Sequence, residues 1–305
     1  MASGCGFMKK NVYIIILNYN GYQDTIECLE SLRNLTYSNY TVVVCDNDSS
    51  DGSEKEILEW ASQNRKIFRF KFLQTGHNLG FAGGNNVGIR YALANGADYI
   101  WLLNNDTTVE SSALTFMVRY MEDNKNIGVC GSRLLSYYDH DQIAGLGGWY
   151  NPVFGTSGHI LYKNDLTKLA YIIGASMLFR RDLFENIGLL QDDYFLYYEE
   201  LDIAERIRGK YEMGVSLNSI VYHKEGASIK NESSFSAFYL LKNNLKFTWR
   251  FYKKFFPLVF IYTTLKIFHP IHKRPYKRIE MYIKVLKSFF QEITSKDFYQ
   301  IPEYR

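Results

Sequence analysis

Apolar residues in the first third of the chain come in short unbroken runs, each closed by a polar cluster. Val12-Tyr13-Ile14-Ile15-Ile16-Leu17 stops at Asn18-Tyr19-Asn20-Gly21, and Tyr40 to Cys45 stops at Asp46-Asn47-Asp48-Ser49-Ser50-Asp51-Gly52-Ser53. Phe68 to Leu73 leads to a glycine-rich stretch ending at Gly88, and Tyr99-Ile100-Trp101-Leu102-Leu103 stops at Asn104-Asn105-Asp106. Runs of this kind suit interior strands covered on both faces. Between them the apolar spacing turns helical: Ile26, Leu29 and Leu32 follow Asp24, while Ile57, Leu58 and Trp60-Ala61 follow Ser53, which is placed to cap. A third helix runs from the glycine-rich stretch through Ala94. This strand–helix alternation predicts an α/β fold with a parallel sheet and right-handed crossovers.

Beyond Asp106 the pattern predicts a helix over Leu114 to Met121 and strands over Ile127 to Leu135 and Ile172 to Phe179. A helix follows from Ile203 to Gly209, then a last strand from Val215 to Tyr222 that ends in His223. Tyr137 to Lys168, rich in Gly, Asp and Tyr without periodicity, predicts an irregular, mobile region suited to an acceptor pocket. The expected organisation is a catalytic domain over residues 10–234 and a helical, basic and aromatic extension over 235–305.

Charge sharpens that division. Residues 235–305 hold 14 Lys/Arg against 4 Asp/Glu, whereas the first 234 hold 21 against 28. In the extension Phe238, Tyr239, Leu241, Leu245, Phe247, Trp249, Phe251, Tyr252, Phe255 and Phe256 alternate with Lys242, Lys246, Arg250, Lys253 and Lys254. Such a basic amphipathic pattern either lies on an anionic membrane or packs on the domain with a solvated face. No nucleic-acid recognition motif accompanies it, so no nucleic-acid partner is expected. Cys5, Cys28, Cys45 and Cys130 lack metal or redox spacing and read as free thiols of a reducing compartment. No apolar stretch approaches the ~18 residues of a bilayer span, and the N-terminus lacks a charged-then-apolar leader pattern. The expected location is cytoplasmic, with peripheral contact at the inner face of the cell membrane.

In open α/β sheets the ligand crevice lies beyond the carboxyl ends of the strands, where Asp106 falls. A carboxylate there suits a divalent cation that also holds phosphate oxygens. Asn-Tyr-Asn-Gly after the first strand is not the G-x-G-x-x-G of a dinucleotide fold, so a nucleotide would sit differently. Asp46 can accept from a base or ribose. Gly83 and Gly84 allow either close approach of a ligand or tight helix packing. Taken singly, Asp106 also reads as a turn cap, Glu199-Glu200-Leu201-Asp202 as a complement to a helix dipole, and His223 as structural.

The order of motifs resembles family 2 glycosyltransferases with the GT-A fold, especially the rhamnosyltransferase-like and galactofuranosyltransferase-like branch. The stretches that carry the resemblance are Ile15 to Asn20, Asp46 to Ser53, Asn78 to Asn86, Leu103 to Thr107, Phe195 to Asp202 and Val221-Tyr222-His223. The resemblance implies a mainly parallel central sheet flanked by helices and a UDP- or dTDP-sugar donor. It further implies a divalent metal, Mn²⁺ or Mg²⁺, and inversion at the anomeric carbon. Asp106 matches the last carboxylate of the family's D-x-D motif and His223 its distal metal histidine; Asn104 replaces the first carboxylate. Glu200 matches the general base, with Glu199 tuning it. Asn18, Asn20, Asp46, Asn47, Asn78, Gly83, Asn85, Asn104 and Asn105 are the expected nucleotide-sugar contacts. The implied acceptor is a bacterial cell-surface glycan or glycolipid. A catalytically degenerate nucleotide- or glycan-binding protein is the alternative, and the oligomeric state is left open, a homo-oligomer included.

Overall fold

A computed structural model of the chain describes residues 10–64, 69–224, 234–267 and 275–295. The alternating half comprises β1 (Val12–Asn18), α1 (Tyr22–Leu32), β2 (Tyr40–Asp46), α2 (Ser53–Gln63), β3 (Arg69–Gln74), α3 (Gly80–Ala94) and β4 (Tyr99–Asn104). Next come β5 (Thr107–Val109), α4 (Ala113–Asp123), β6 (Ile127–Ser136), β7 (Ile143–Gly145), β8 (Gly148–Asn151) and β9 (Thr156–His159). They are followed by β10 (Ser176–Arg180), α5 (Arg181–Ile187), α6 (Glu199–Ile207) and β11 (Glu212–His223), then by α7 (Ser234–Phe251), α8 (Phe256–Ile267) and α9 (Pro275–Thr294).

The main sheet runs β3-β2-β1-β4-β10-β6-β11-β5, with β7 on β6. Strands β1 to β4 are parallel, as the alternation requires. β10 enters antiparallel between β4 and β6, and β5 pairs antiparallel with β11, so the sheet is mixed. Both faces are covered. Ile14, Ile16, Val42, Val44, Trp101 and Leu103 pack against α1 and α4, while Ile15, Val43, Ile100 and Leu102 pack against α3 and α5. That two-sided burial explains why these strands read as continuous apolar runs.

Several boundaries moved. Tyr137–Lys168 is not irregular: it holds β7, β8, β9 and a 3₁₀ turn at Lys163–Lys168. Its strands are three or four residues long, too short to show a period of two. α3 begins at Gly80, so most of the glycine-rich stretch is helical, and α6 begins at Glu199 rather than Ile203. Gly52, with φ +85°, takes the position expected of Ser53 at the head of α2; the Ser53 hydroxyl donates to Asp51 Oδ1 at 2.5 Å. Cys28, Cys45 and Cys130 are buried free thiols, each pushed up to about 12 by desolvation; Cys5 lies outside the described residues.

The extension is helical and packs on the rest of the chain. Phe247 of α7 sits among Tyr194, Tyr198 and Leu201, and Leu245 meets Tyr282, Val285 and Phe289 of α9. Three of its cations turn inward: Lys246 lies 2.9 Å from Asp193 and 2.6 Å from Glu292, Lys242 lies 2.8 Å from Glu292, and Arg250 pairs with Asp193. The side chains of Lys246 and Arg250 are each 2% exposed. What reads as a basic stripe is in these positions a buried ion cluster.

Candidate active site

The carboxyl ends of β1, β2 and β4 lie side by side, with Asn18 opposite Asp46 and Leu17 opposite Asn104. Asp46 is fully buried and accepts from Asn18 Nδ2 (2.6 Å), Ser49 N (3.0 Å), Ser49 Oγ (2.7 Å) and Gln74 Nε2 (3.0 Å). Asn18 in turn accepts from Thr25 Oγ1 at 2.7 Å. Asn20, left-handed at φ +51°, donates its N–H to Ser49 Oγ and accepts from Ser50 N, each at 2.8 Å. These three residues knit two loops into a floor, and the bonding capacity of the Asp46 carboxylate is already used. Asn47 pins the next loop by donating to Asn78 Oδ1 (2.9 Å) and accepting from Leu79 N (3.0 Å).

Above this floor opens a cleft of about 460 Å³. Tyr19, Asn47, Asn78, Asn104, Asn105 and Asp106 line it, together with the apolar Leu17, Phe81, Phe195, Leu196 and Phe235. Gly83 and Asn85 are outside the lining. A Cβ on Gly83 would stand 2.8 Å from Leu79 Cβ, and one on Gly84 would stand 2.4 Å from Leu17 Cδ1, so tight packing is what these glycines serve. Asn85 is buried and donates within its own helix to Phe81 O at 2.9 Å. Half the surface of Tyr19 is exposed at the cleft; sequence reading passed over it, although an aromatic inside Asn-Tyr-Asn at a strand end was a usable signal. It had no route to Phe235, which arrives from the extension.

β5 and β11 pair with His223 opposite Thr107, and Lys224 N donates to Asp106 O at 3.0 Å. This pairing brings His223 Nε2 to 3.3 Å from Asp106 Oδ1, a buried oxygen that accepts no hydrogen bond. Asn105, also in the lining, donates to Thr25 Oγ1 (3.1 Å), and Asn104 stands beside Asp106 in the cleft wall. Among the described residues no third His, Cys, Asp or Glu joins the pair. One carboxylate oxygen and one imidazole nitrogen suit Mg²⁺ or Mn²⁺, which keep waters and take up phosphate oxygens at their remaining positions. The residues present fit such an ion.

Glu199 and Glu200 open α6 behind a loop in which Phe195, Tyr197 and Tyr198 are all left-handed, at φ +66°, +68° and +78°. A Cβ on Gly174 would stand 3.5 Å from Glu200 Oε1 and 3.7 Å from Phe81 Cζ, which puts Glu200 beside the cleft wall, not in the lining itself. Asp202 is fully buried against Arg206 (2.6 Å) and the Tyr194 hydroxyl (3.1 Å). Glu199 is 4% exposed, and neither its Oε2 nor that of Glu200 has a hydrogen-bond partner. Desolvation first, and then the charge of Glu200, hold the Glu199 carboxyl well above the usual range; desolvation also raises Glu200. Burial therefore favours the protonated form of Glu199, the deeper of the two, more strongly than that of Glu200.

That protonation has a stability signature. A carboxyl raised in the folded state contributes stability below its ordinary pKa and loses it as pH climbs through the raised value. Glu199→Gln cannot ionise, so urea unfolding should show the variant gaining on the parent as pH rises above about 4.5, by at most ~1.4 kcal/mol per pH unit. Parallel curves across that range would refute the assignment.

A model of the family described as glycosyl transferase family 2 matches residues 13–188. Among curated proteins, the low-salt glycan biosynthesis hexosyltransferase Agl10 of Haloferax volcanii is 25% identical over 205 residues, 66% of this chain and 62% of that protein. The dTDP-rhamnosyl transferase RfbF of Shigella flexneri is 24% identical over 200 residues, 64% and 62%. The matches thus span about three fifths of these relatives' length. Among solved structures, the mannosyltransferase PcManGT of Pyrobaculum calidifontis, in complex with GDP-Man and Mn²⁺, superposes with a TM-score of 0.58 at 16% identity, covering 93% of this chain and 76% of that one. TarS 1–349 of S. aureus superposes with a TM-score of 0.60 at 13% identity, covering 92% and 80%. The shared architecture is GT-A-like, a curled and mostly parallel sheet flanked by helices.

Proposed function

This chain belongs to glycosyl transferase family 2, and on that premise we propose that it is an inverting, metal-dependent hexosyltransferase. It takes a sugar from a UDP or dTDP donor and delivers it to a cell-surface glycan or lipid-linked acceptor. The observation that carries this reading is the unpartnered Asp106 Oδ1, 3.3 Å from His223 Nε2, in the wall of a cleft flanked by a buried carboxyl pair. The names of the two curated relatives, a hexosyltransferase and a dTDP-rhamnosyl transferase, support the reaction class and donor type.

In this reading Tyr19 stacks on the base, while Asn47 and Asn78 border the nucleoside. Asn18, Asn20 and Asp46 act from beneath by shaping the loops. Asp106 and His223 hold the divalent ion, whose chemistry is to offset charge on the departing diphosphate. Glu200 takes the proton of the acceptor hydroxyl as its oxygen bonds to the anomeric carbon. The carbon–oxygen bond to the diphosphate breaks on the opposite face, and the nucleoside diphosphate leaves. Glu199, its carboxyl held above the usual range by desolvation, resists adding a second charge beside the base. The Asn at position 104 favours the alternative of a degenerate binding protein. Calorimetric titration with UDP and dTDP, with and without Mn²⁺, together with hydrolysis of UDP-glucose and dTDP-rhamnose, separates the two. Metal-dependent turnover supports the enzyme, and binding without turnover supports the alternative.

A peripheral membrane contact belongs to the same proposal. No helix among the described residues is long and apolar enough to cross a membrane. With Lys242, Lys246 and Arg250 spent inside, the surface suited to lipid is α8. Leu258, Ile261 and Leu265 are 50, 55 and 63% exposed at helical spacing, and Lys253, Lys254 and Lys266 are exposed around them. Sedimentation with phosphatidylglycerol vesicles should carry the protein down at low salt, phosphatidylcholine should not, and glutamate at all three apolar positions should abolish the effect. Equal recovery of parent and triple variant would refute this contact. A cytoplasmic position at the inner face goes with it.

A further inference from the structure

The loop that delivers Glu199 and Glu200 is bent through three left-handed residues with large side chains, and such a bend persists only where the surroundings over-determine it. Part of the constraint is local: Phe81 N donates to Phe195 O at 2.7 Å, and Asp202 N to Tyr198 O at 2.8 Å. The rest comes from α7. Asn243 is fully buried, and its Nδ2 lies 2.9, 2.8 and 3.1 Å from the carbonyl oxygens of Tyr194, Leu196 and Tyr197. Its Oδ1 accepts nothing. Three converging acceptors require the amide nitrogen at that end. One turn further along, Lys246 Nζ donates to Asp193 O at 2.8 Å, Arg250 holds the Asp193 carboxylate, and the Phe247 ring lies 5.6 Å from that of Tyr198. α7 thus touches every residue from Asp193 to Tyr198, Phe195 through its ring, which stacks on that of Tyr239 at 5.0 Å.

We propose that Asn243 is a positioning residue for the general base. By directing its two N–H groups at three carbonyls of the left-handed loop it holds the first turn of α6 in the orientation that keeps Glu200 desolvated beside Gly174. The proposal rests on the reading of Glu200 as base. Asn243 does not line the cleft, so its effect passes through the loop alone. It also gives the extension a catalytic role that its charge pattern did not suggest.

Asn243→Leu keeps the volume and removes the donors. Turnover of UDP-glucose or dTDP-rhamnose, whichever the parent hydrolyses, should fall about 30-fold or more, while Mn²⁺-dependent affinity for UDP or dTDP stays within about two-fold. The acid limb of the turnover profile should move down toward ordinary glutamate as Glu200 gains water. Amide exchange should quicken over residues 194–199 and stay unchanged in β1 to β4. Unaltered turnover, a parallel loss of nucleotide affinity, or an unmoved acid limb would each overturn the proposal. Should the leucine variant not fold, Asn243→Ser, smaller and with a single donor, is held to the same outcomes. If Glu200→Gln retains turnover, the reading of the base fails, whereas exchange over 194–199 in the Asn243 variants still decides whether the clamp exists.

Discussion

Glu200→Gln should abolish turnover, with a loss of at least about 10³-fold, while Mn²⁺-dependent binding of UDP or dTDP stays within about two-fold. Glutamine matches the carboxyl in shape, so its fit beside Gly174 survives, and only the capacity to take a proton is lost. General-base help is typically worth about 10²–10⁴-fold, and the neighbouring Glu199, its carboxyl held well above the usual range by desolvation, resists taking the charged form that could replace it. The pH profile gives an independent check. Desolvation raises the Glu200 carboxyl, so its charged, proton-accepting form is lost as pH falls through a value above the ordinary 4.5. Parent turnover should therefore decline on the acid side earlier than an exposed glutamate would allow. A glutamine variant that still turns over with the same acid limb would remove Glu200 from the mechanism.

Asp106→Asn should cost about 10²–10³-fold in turnover and erase the gain in nucleotide affinity that Mn²⁺ confers. The substitution keeps the side-chain shape and deletes the anionic oxygen. Only His223 would remain to the ion, and a neutral amide oxygen is a much weaker ligand for a hard cation. Affinity for UDP or dTDP without metal should change little, since Tyr19, Asn47 and Asn78 are untouched. Titrating the nucleotides with and without Mn²⁺ against both proteins reads this directly. An unchanged Mn²⁺ effect in the variant would place the ion elsewhere and detach the cleft from the proposed chemistry.

Much of this molecule was legible along the chain. Strands β1 to β4 are buried on both faces and so appear as unbroken apolar runs, and the polar clusters that end them mark the carboxyl edge where Asn47, Asn78, Asn104 and Asp106 meet. The motif order that resembled family 2 glycosyltransferases agrees with the family match over residues 13–188. Asn18 and Asp46 were expected to contact the nucleotide-sugar, but strand periodicity reports burial and not the direction of a hydrogen bond. It took the structure to show that their polar atoms point into the floor. The antiparallel entry of β10 was not legible: an apolar run carries no sign of strand direction.

The extension shows the limit in another form. Lys242, Lys246 and Arg250 alternate with aromatic residues in the same way whether they face lipid, water or a buried carboxylate. A helix's periodicity says which residues share a face and nothing about what that face meets. The sequence alone determined the strand core, the polar strand ends and the family. Tertiary structure alone decided that Asp193 and Glu292 would neutralise those cations, that His223 would reach Asp106, and that Asn243 would hold the loop behind Glu200. Each of these depends on residues dozens of positions apart coming within hydrogen-bond reach, and long-range pairing of that kind leaves no periodic trace in a single chain.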